Sequence, residues 1–136
     1  MSGQAGFFER FFAALDGDDP ASALELVADD LEFAILWAPN AESRSRQFLG
    51  GPDELRAFTF AGDMEGWAHH IKHSSRDGST ELALGETRWN DGRYIGTFLC
   101  AAQLDESGRM RRYMVGRSPA IRFPLEMTSS QAFMIE

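Results

Sequence analysis

Three histidines, His69, His70 and His73, lie close together in the chain and are the side chains best suited to move protons near neutral pH. The run that holds them, Trp67 to Ser75, has the composition of a β-strand, so successive side chains point to opposite faces. His69 then shares a face with Trp67 and Ile71, the company of a pocket wall. His70 shares its face with Lys72 and is expected to meet solvent or a partner subunit. His69 is therefore the candidate general acid/base, since enolisation, dehydration and cyclisation all need a group that passes a proton. Its candidate helpers are Glu81, Glu86 and Tyr113, whose facing simple alternation leaves open.

Other chemistries find less support. His73 falls on the face of His69 and raises the question of a metal, but one strand supplies few ligands and neither cysteine nor an acidic cluster accompanies them, so no metal is expected. Cys100, the single cysteine, sits between Leu99 and Ala101 in an apolar strand and reads as a small buried thiol rather than a nucleophile. One cysteine also excludes an internal disulfide, which fits a reducing compartment. Gly50-Gly51 reads as a turn, since no glycine-rich loop leads from a strand into a helix to cradle phosphates, and no cofactor is expected.

Charge narrows the partners. With 21 acidic against 13 basic side chains the formal net charge is −8, which repels phosphate backbones and anionic membranes, so nucleic acid and membrane are both poor partners. Arg109, Arg111, Arg112 and Arg117 read as a solvated or edge-protecting strand face. The start, Met1 to Arg10, lacks the basic opening of a signal peptide, and the longest apolar run, Phe33 to Pro39, is far short of the roughly 20 residues that span a bilayer. A cytoplasmic location is expected.

The elements that must position these groups follow from periodicity. Phe7, Phe8, Phe11, Phe12 and Leu15 recur at helical spacing and predict a first helix ending near Asp16-Gly17. Asp18 or Asp19 can cap a second helix with Pro20 at its first position, ending near Asp29-Asp30. Leu31 to Trp37 reads as a strand with Leu31, Phe33, Ile35 and Trp37 on one face. Asn40 to Gln47 reads as a loop, and Pro52-Asp53-Glu54 opens a third short helix carrying Leu55 and Phe58. Turn signals at Asp77-Gly78, Asp91-Gly92 and Ser107-Gly108 then divide four strands: Trp67 to Ser75, Thr80 to Trp89, Tyr94 to Leu104 and Met110 to Ser118. Strands this long must twist and curl, and helices packed inside the curl leave a cavity between the layers. Phe12, Phe33, Trp37, Met64 and Trp67, together with His69 and His73, are the candidate residues around a flat apolar ligand. Residues 1–120 form one domain, and 121–136 form a tail, arm or extra strand with alternating Ile121, Phe123, Leu125 and Met127.

The order of these parts resembles a known family. Phe8-Glu9-Arg10-Phe11-Phe12 through Asp18 and Leu24-Glu25-Leu26-Val27 through Phe33 are followed by Gly50-Gly51-Pro52-Asp53-Glu54-Leu55 and His69-His70-Ile71. Asp77-Gly78-Ser79-Thr80 and Gly108-Arg109-Met110-Arg111-Arg112-Tyr113 complete the series. Together, from Phe7 to Pro119, they resemble the nuclear transport factor 2-like superfamily in its SnoaL-like branch. The resemblance implies an α+β fold, a cone-shaped α+β barrel with N-terminal helices packed in the concave face of a curved antiparallel sheet. It implies homodimers formed through the sheet and a pocket for an apolar small molecule.

The same resemblance places His69 in the pocket, where dehydratase-type relatives carry a histidine. It also exposes departures. Cyclase-like relatives carry an acid/base aspartate two residues past a tyrosine on the last strand; aligned on Tyr113, that position is Val115. Isomerase-like relatives carry a base aspartate near the end of the first strand, where this chain reads Ile35-Leu36-Trp37-Ala38. No second histidine follows Thr80. Two readings stay open: a cofactor-free acid/base enzyme of the isomerase, cyclase or dehydratase kind, and a non-catalytic binder or dimeric assembly module. A lone His69 in the cavity favours binding, and a histidine–carboxylate pair favours catalysis.

Overall fold

The computed structural model describes residues 6–37, 46–59 and 66–123. Helix α1 (Phe7–Leu15) is followed by a 3-10 helix (Pro20–Leu26), strands β1 (Val27–Trp37) and β2 (Arg46–Gly50), and helix α2 (Pro52–Thr59). Strands β3 (Trp67–Asp77), β4 (Thr80–Trp89), β5 (Tyr94–Leu104) and β6 (Met110–Ser118) complete the chain. One curved, unclosed sheet runs in the order β2-β1-β6-β5-β4-β3. Only the β1–β6 pair is parallel, so β1 ends where β6 ends and β3 begins. No described helix is long and apolar enough to cross a membrane.

Helix α1 is the plug of the concave face. Phe7, Phe8, Phe11 and Phe12 are all buried, each contributing about 2 kcal/mol by leaving water. Phe8 and Phe11 pack their rings on Tyr113 of β6. Buried Glu81 of β4 holds the other end of the helix, its two carboxylate oxygens accepting the Phe7 and Phe8 N–H groups at 3.1 and 2.9 Å. These are among the first N–H groups of a helix, which have no intrahelical partner and sit at its positive end.

Several elements differ from expectation. The second helix is a tight 3-10 helix that ends at Leu26, because Val27 and Ala28 are already buried strand residues. Asp29 and Asp30, read as a helix stop, are exposed positions of β1, with Asp30 bonded to Arg111 and Glu32 to Arg112 across the β1–β6 ladder. Strand β2 was expected as loop and turn; its polar Arg46-Gln47 conceals a short edge strand paired to β1. It stops at Gly50, whose φ of +156° favours glycine and whose missing Cβ is replaced by the packed Glu54 side chain. The three hairpins fall where the turn signals put them, with positive φ at Gly78, Gly92 and Gly108. Beyond β6, residues 119–123 form no strand. Tyr94 donates to the Ile121 carbonyl at 3.3 Å, and Arg122 reaches buried Glu86 at 3.0 Å. Met64 and the tail past Phe123 lie outside the described residues.

Candidate functional site

Between α1, α2 and the concave sheet lies an apolar cavity walled by Phe11, Leu15, Ile35, Leu55, Phe98 and Val115. The space within it that the centre of a water molecule can reach is about 60 Å³, several times what one water needs. Four polar side chains interrupt the wall: His69, Thr87, Tyr113 and Arg117. Thr87 is spent locally, since its hydroxyl donates to the Gly96 carbonyl at 3.3 Å.

His69 is held from three sides. Its ring stacks on Phe12 with centroids 4.1 Å apart and planes within 7°, and meets the edge of Phe98 at 5.5 Å. Trp67, two residues earlier on β3, tilts against it at 5.2 Å. The fourth contact is a carboxylate. Asp16 caps the C-terminus of α1, and its Oδ2 accepts the His69 backbone N–H at 2.7 Å while Oδ1 lies 3.0 Å from Nδ1. Both side chains are only 12% exposed. With Nδ1–H donated to Asp16, the lone pair of the neutral imidazole sits on Nε2, which has no hydrogen-bond partner among the described residues.

Tyr113 comes from the opposite wall. Burial, reinforced by the nearby Cys100 and Asp16, pushes its phenol well above the usual range, so it is a neutral donor in the cavity. Its hydroxyl makes no hydrogen bond among the described residues. Two rungs further along the same face of β6 stands Arg117, partly buried, its guanidinium carbon 4.6 Å from the Trp37 ring and 5.3 Å from the Trp67 ring. Burial lowers its pKa to about 10, still cationic at neutral pH.

The placement of the sequence candidates is uneven. His69, Trp37, Trp67 and Tyr113 line the cavity. Phe12 stands behind the His69 ring, and Phe33 is buried in the core without reaching the cavity wall. His73 was expected to share the face of His69 but does not. A bulge between Ile71 and His73 reverses the alternation, so His73 is exposed and registers with Leu84, whereas His69 registers with Thr87. His70 is exposed and opposite Glu86. Among the expected helpers, Glu81 is committed to α1 and Glu86 is bound by Arg88 and Arg122. Among the described residues no group of three His, Cys, Asp or Glu side chains could hold a metal. Cys100 is buried with its thiol toward the Ala83 carbonyl, and burial pushes its pKa far up.

The partner of His69 is thus Asp16, which the sequence presents as a helix stop. A signal was present: Phe8, Phe12 and Asp16 are spaced i, i+4, i+8, so the acid continues the apolar stripe of α1. Arg117 likewise continues the inward set Tyr113, Val115, Arg117 rather than a solvated face.

No protein-family model and no curated protein matches the chain. Solved structures do. A proposed isomerase of the SnoaL-like family from Agrobacterium tumefaciens superposes with a TM-score of 0.66 at 13% identity, covering 82% of this chain and 93% of that one. A proposed polyketide cyclase from Sinorhizobium meliloti gives 0.58 at 17%, covering 82% and 94%. A proposed ketosteroid isomerase from Kribbella flavida gives 0.60 at 17%, covering 87% and 79%. Likeness at such identities establishes a shared fold and leaves the chemistry to the residues.

Proposed function

We propose that this protein, a chain with the nuclear transport factor 2-like fold of the SnoaL-like proteins, is a cofactor-free acid/base enzyme of the isomerase, cyclase or dehydratase kind. Its substrate is a small molecule with an apolar or aromatic body. The observation that carries this reading is the His69–Asp16 pair, a base and its orienting carboxylate brought together from different elements at the wall of an apolar cavity. A simple ligand wall needs no such pair. The cyclase and isomerase descriptions of the structural neighbours agree with it.

The proposed chemistry uses this geometry. Nε2 takes a proton from a carbon next to a carbonyl, and the C–H electron pair moves into the enolate. Tyr113, a neutral phenol, donates a hydrogen bond to the oxygen on which charge develops. Asp16 stabilises the imidazolium that forms, and His69 returns the proton to a second carbon or to a departing hydroxyl. A positioned general base of this kind is worth about a hundred- to ten-thousandfold in rate. The test requires no known substrate: deuterium uptake from D2O into a panel of cyclic and aryl ketones is followed by NMR. The wild type should accelerate exchange for at least one ketone, and His69→Ala should abolish it while His70→Ala does not. Ketones that bind the cavity without exchanging would identify a non-catalytic binder and overturn the enzymatic reading.

The assembly we infer is a homodimer through the convex face. Leu82, Ala101, Met114, Ala34 and Leu49 form one continuous rung across β4, β5, β6, β1 and β2, with Leu84 and Leu99 in the next. Leu99 and Met114 are 60% and 64% exposed in the single chain. Paired charges beside the patch, Arg111 with Asp30 and Arg112 with Glu32, give it both signs, as a self-complementary two-fold interface needs.

A further inference from the structure

Arg117 is a charge without an obvious reason to be where it is. The other described arginines that approach carboxylates are paired: Arg76 with Glu81, Arg88 and Arg122 with Glu86, Arg93 with Asp91, Arg111 with Asp30 and Arg112 with Glu32. Arg117 is less exposed than most of these, yet it has no ion pair and no hydrogen bond among the described residues. The chain has 21 acidic side chains from which a partner could have been drawn. Its only described partners are the faces of Trp37 and Trp67, which hold a guanidinium in place while leaving its N–H donors unused. Removing a cation from water without a counter-ion destabilises the fold, and such a group persists where the counter-ion arrives with a ligand.

The position of Arg117 limits what that ligand is. It lines the same cavity as His69 and Tyr113, at the end where β1 and β6 finish and β3 begins. Arg117 and His69 stand on strands three spacings apart, about 14 Å along a flat sheet, and the curvature with two inward-reaching side chains shortens the gap. Phe98 marks what remains: it is the register partner of Arg117, and its ring meets the His69 ring edge-on at 5.5 Å. Trp67 bounds it more closely, its ring 5.3 Å from the Arg117 guanidinium carbon and 5.2 Å from the His69 ring, a separation that one ring of a ligand can span. Resting on the reading of this cavity as the substrate site, we propose that its substrate is a ring-sized carboxylate, the carboxylate held by the guanidinium fork of Arg117 while His69 faces the reacting carbon. The planar, two-oxygen group matches the fork of a guanidinium.

The test separates this proposal from the reading beneath it because it reads binding rather than turnover. Benzoate and its neutral isostere benzamide are titrated into the whole protein, followed by tryptophan fluorescence and by the NMR signals of the His69 ring. Benzoate should bind at least about tenfold more tightly than benzamide, the scale of one charge-assisted hydrogen bond, and the preference should shrink as salt rises. Arg117→Met should erase the preference by weakening benzoate alone, and Arg117→Lys should keep part of it. Arg117→Met should melt close to the wild type without ligand, since the lost contacts with Trp37 and Trp67 and the relieved desolvation of the cation oppose each other. Equal affinity for the two probes, with His69 signals moving for both, would overturn the carboxylate proposal and leave the cavity as the site. A variant that melts lower and loses both probes equally makes Arg117 a structural clamp and overturns it too. If neither probe moves the His69 or tryptophan signals, both readings fall.

Discussion

Asp16→Asn isolates what the carboxylate does for His69. In the wild type one oxygen of Asp16 accepts the His69 backbone N–H at 2.7 Å and the other lies 3.0 Å from Nδ1. The backbone N–H can only donate, so the single oxygen of the substituted amide must turn to it. That leaves the amide NH2 facing Nδ1, which must then accept. The imidazole proton moves to Nε2, and the cavity loses its base. The effect on the fold is small by comparison. Exchanging a charge-assisted hydrogen bond for a neutral one costs about 1 kcal/mol. Removing an anion from the negative C-terminal end of α1 returns about 0.3 to 1 kcal/mol. The melting temperature should therefore fall by no more than about 4 °C in a domain of this size. Ketone exchange should fall about a hundredfold or more. Nitrogen-15 NMR of the neutral ring reads the tautomer directly, with Nδ1 protonated in the wild type and Nε2 protonated in the variant. An Asp16→Asn protein that keeps Nδ1 protonated, or exchanges ketones at the wild-type rate, would refute the assignment of Asp16 as the orienting group.

Two further outcomes test the sheet. Leu99→Glu places a charge in the centre of the convex apolar rungs, so light scattering at micromolar concentration should report a dimer for the wild type and a folded monomer for the variant; a monomeric wild type removes the interface. Burial raises the Glu86 carboxyl, but the hydrogen bonds and charges of Arg122 and Arg88 outweigh it and hold the pKa below the ordinary 4.5. A lowered folded-state value gives stability that is complete above about 4.5 and is lost as the pH falls through the folded value, so thermal melts of Glu86→Gln should be lower at neutral pH and less steep between roughly pH 5 and 3 than those of the wild type. Parallel pH curves for the two proteins would show that Glu86 contributes nothing to acid sensitivity.

Most of the sheet was legible because β-hairpins announce themselves at both ends. Gly78, Gly92 and Gly108 sit at turns that need positive φ, and the runs between them are strand-rich, so β4, β5 and β6 have the bounds read from the sequence. The failures share a cause: they are positions where a neighbouring strand overrides the local pattern. Asp29 and Asp30 look like a helix terminus until β6 runs alongside. Arg46-Gln47 looks like loop until β1 offers an edge. His73 looks like a partner of His69 because strict alternation would put both on one face, but a bulge that no single-strand pattern reveals lies between them. On β4 the inward residues are Glu81, Ala83, Gly85 and Thr87, whereas Leu82 is exposed on the other face. The close approach of the His70 carbonyl and the Phe98 ring leaves room only for glycine at Gly85.

Half of the candidate site was legible, and the missing half follows one pattern. His69 stood out because its residue type carries chemistry anywhere. Asp16 and Arg117 did not, because each lies where an element ends and its type is also a common ending: an acid before Gly17, an arginine before Ser118. What marks them is register. Asp16 continues the buried face of α1 one turn past Phe12, and Arg117 continues the buried face of β6 one rung past Val115. A charge that ends an element on its solvent face is already satisfied by water. A charge on the core face has given up part of its water, so a partner within the fold or in a ligand stabilises it. Asp16 has found His69, and Arg117 has found no carboxylate among the described residues. The asymmetry between these two charges, one paired inside the fold and one facing the cavity, is what the proposed reading rests on, with a proton-transfer group at one wall and a docking charge at the other.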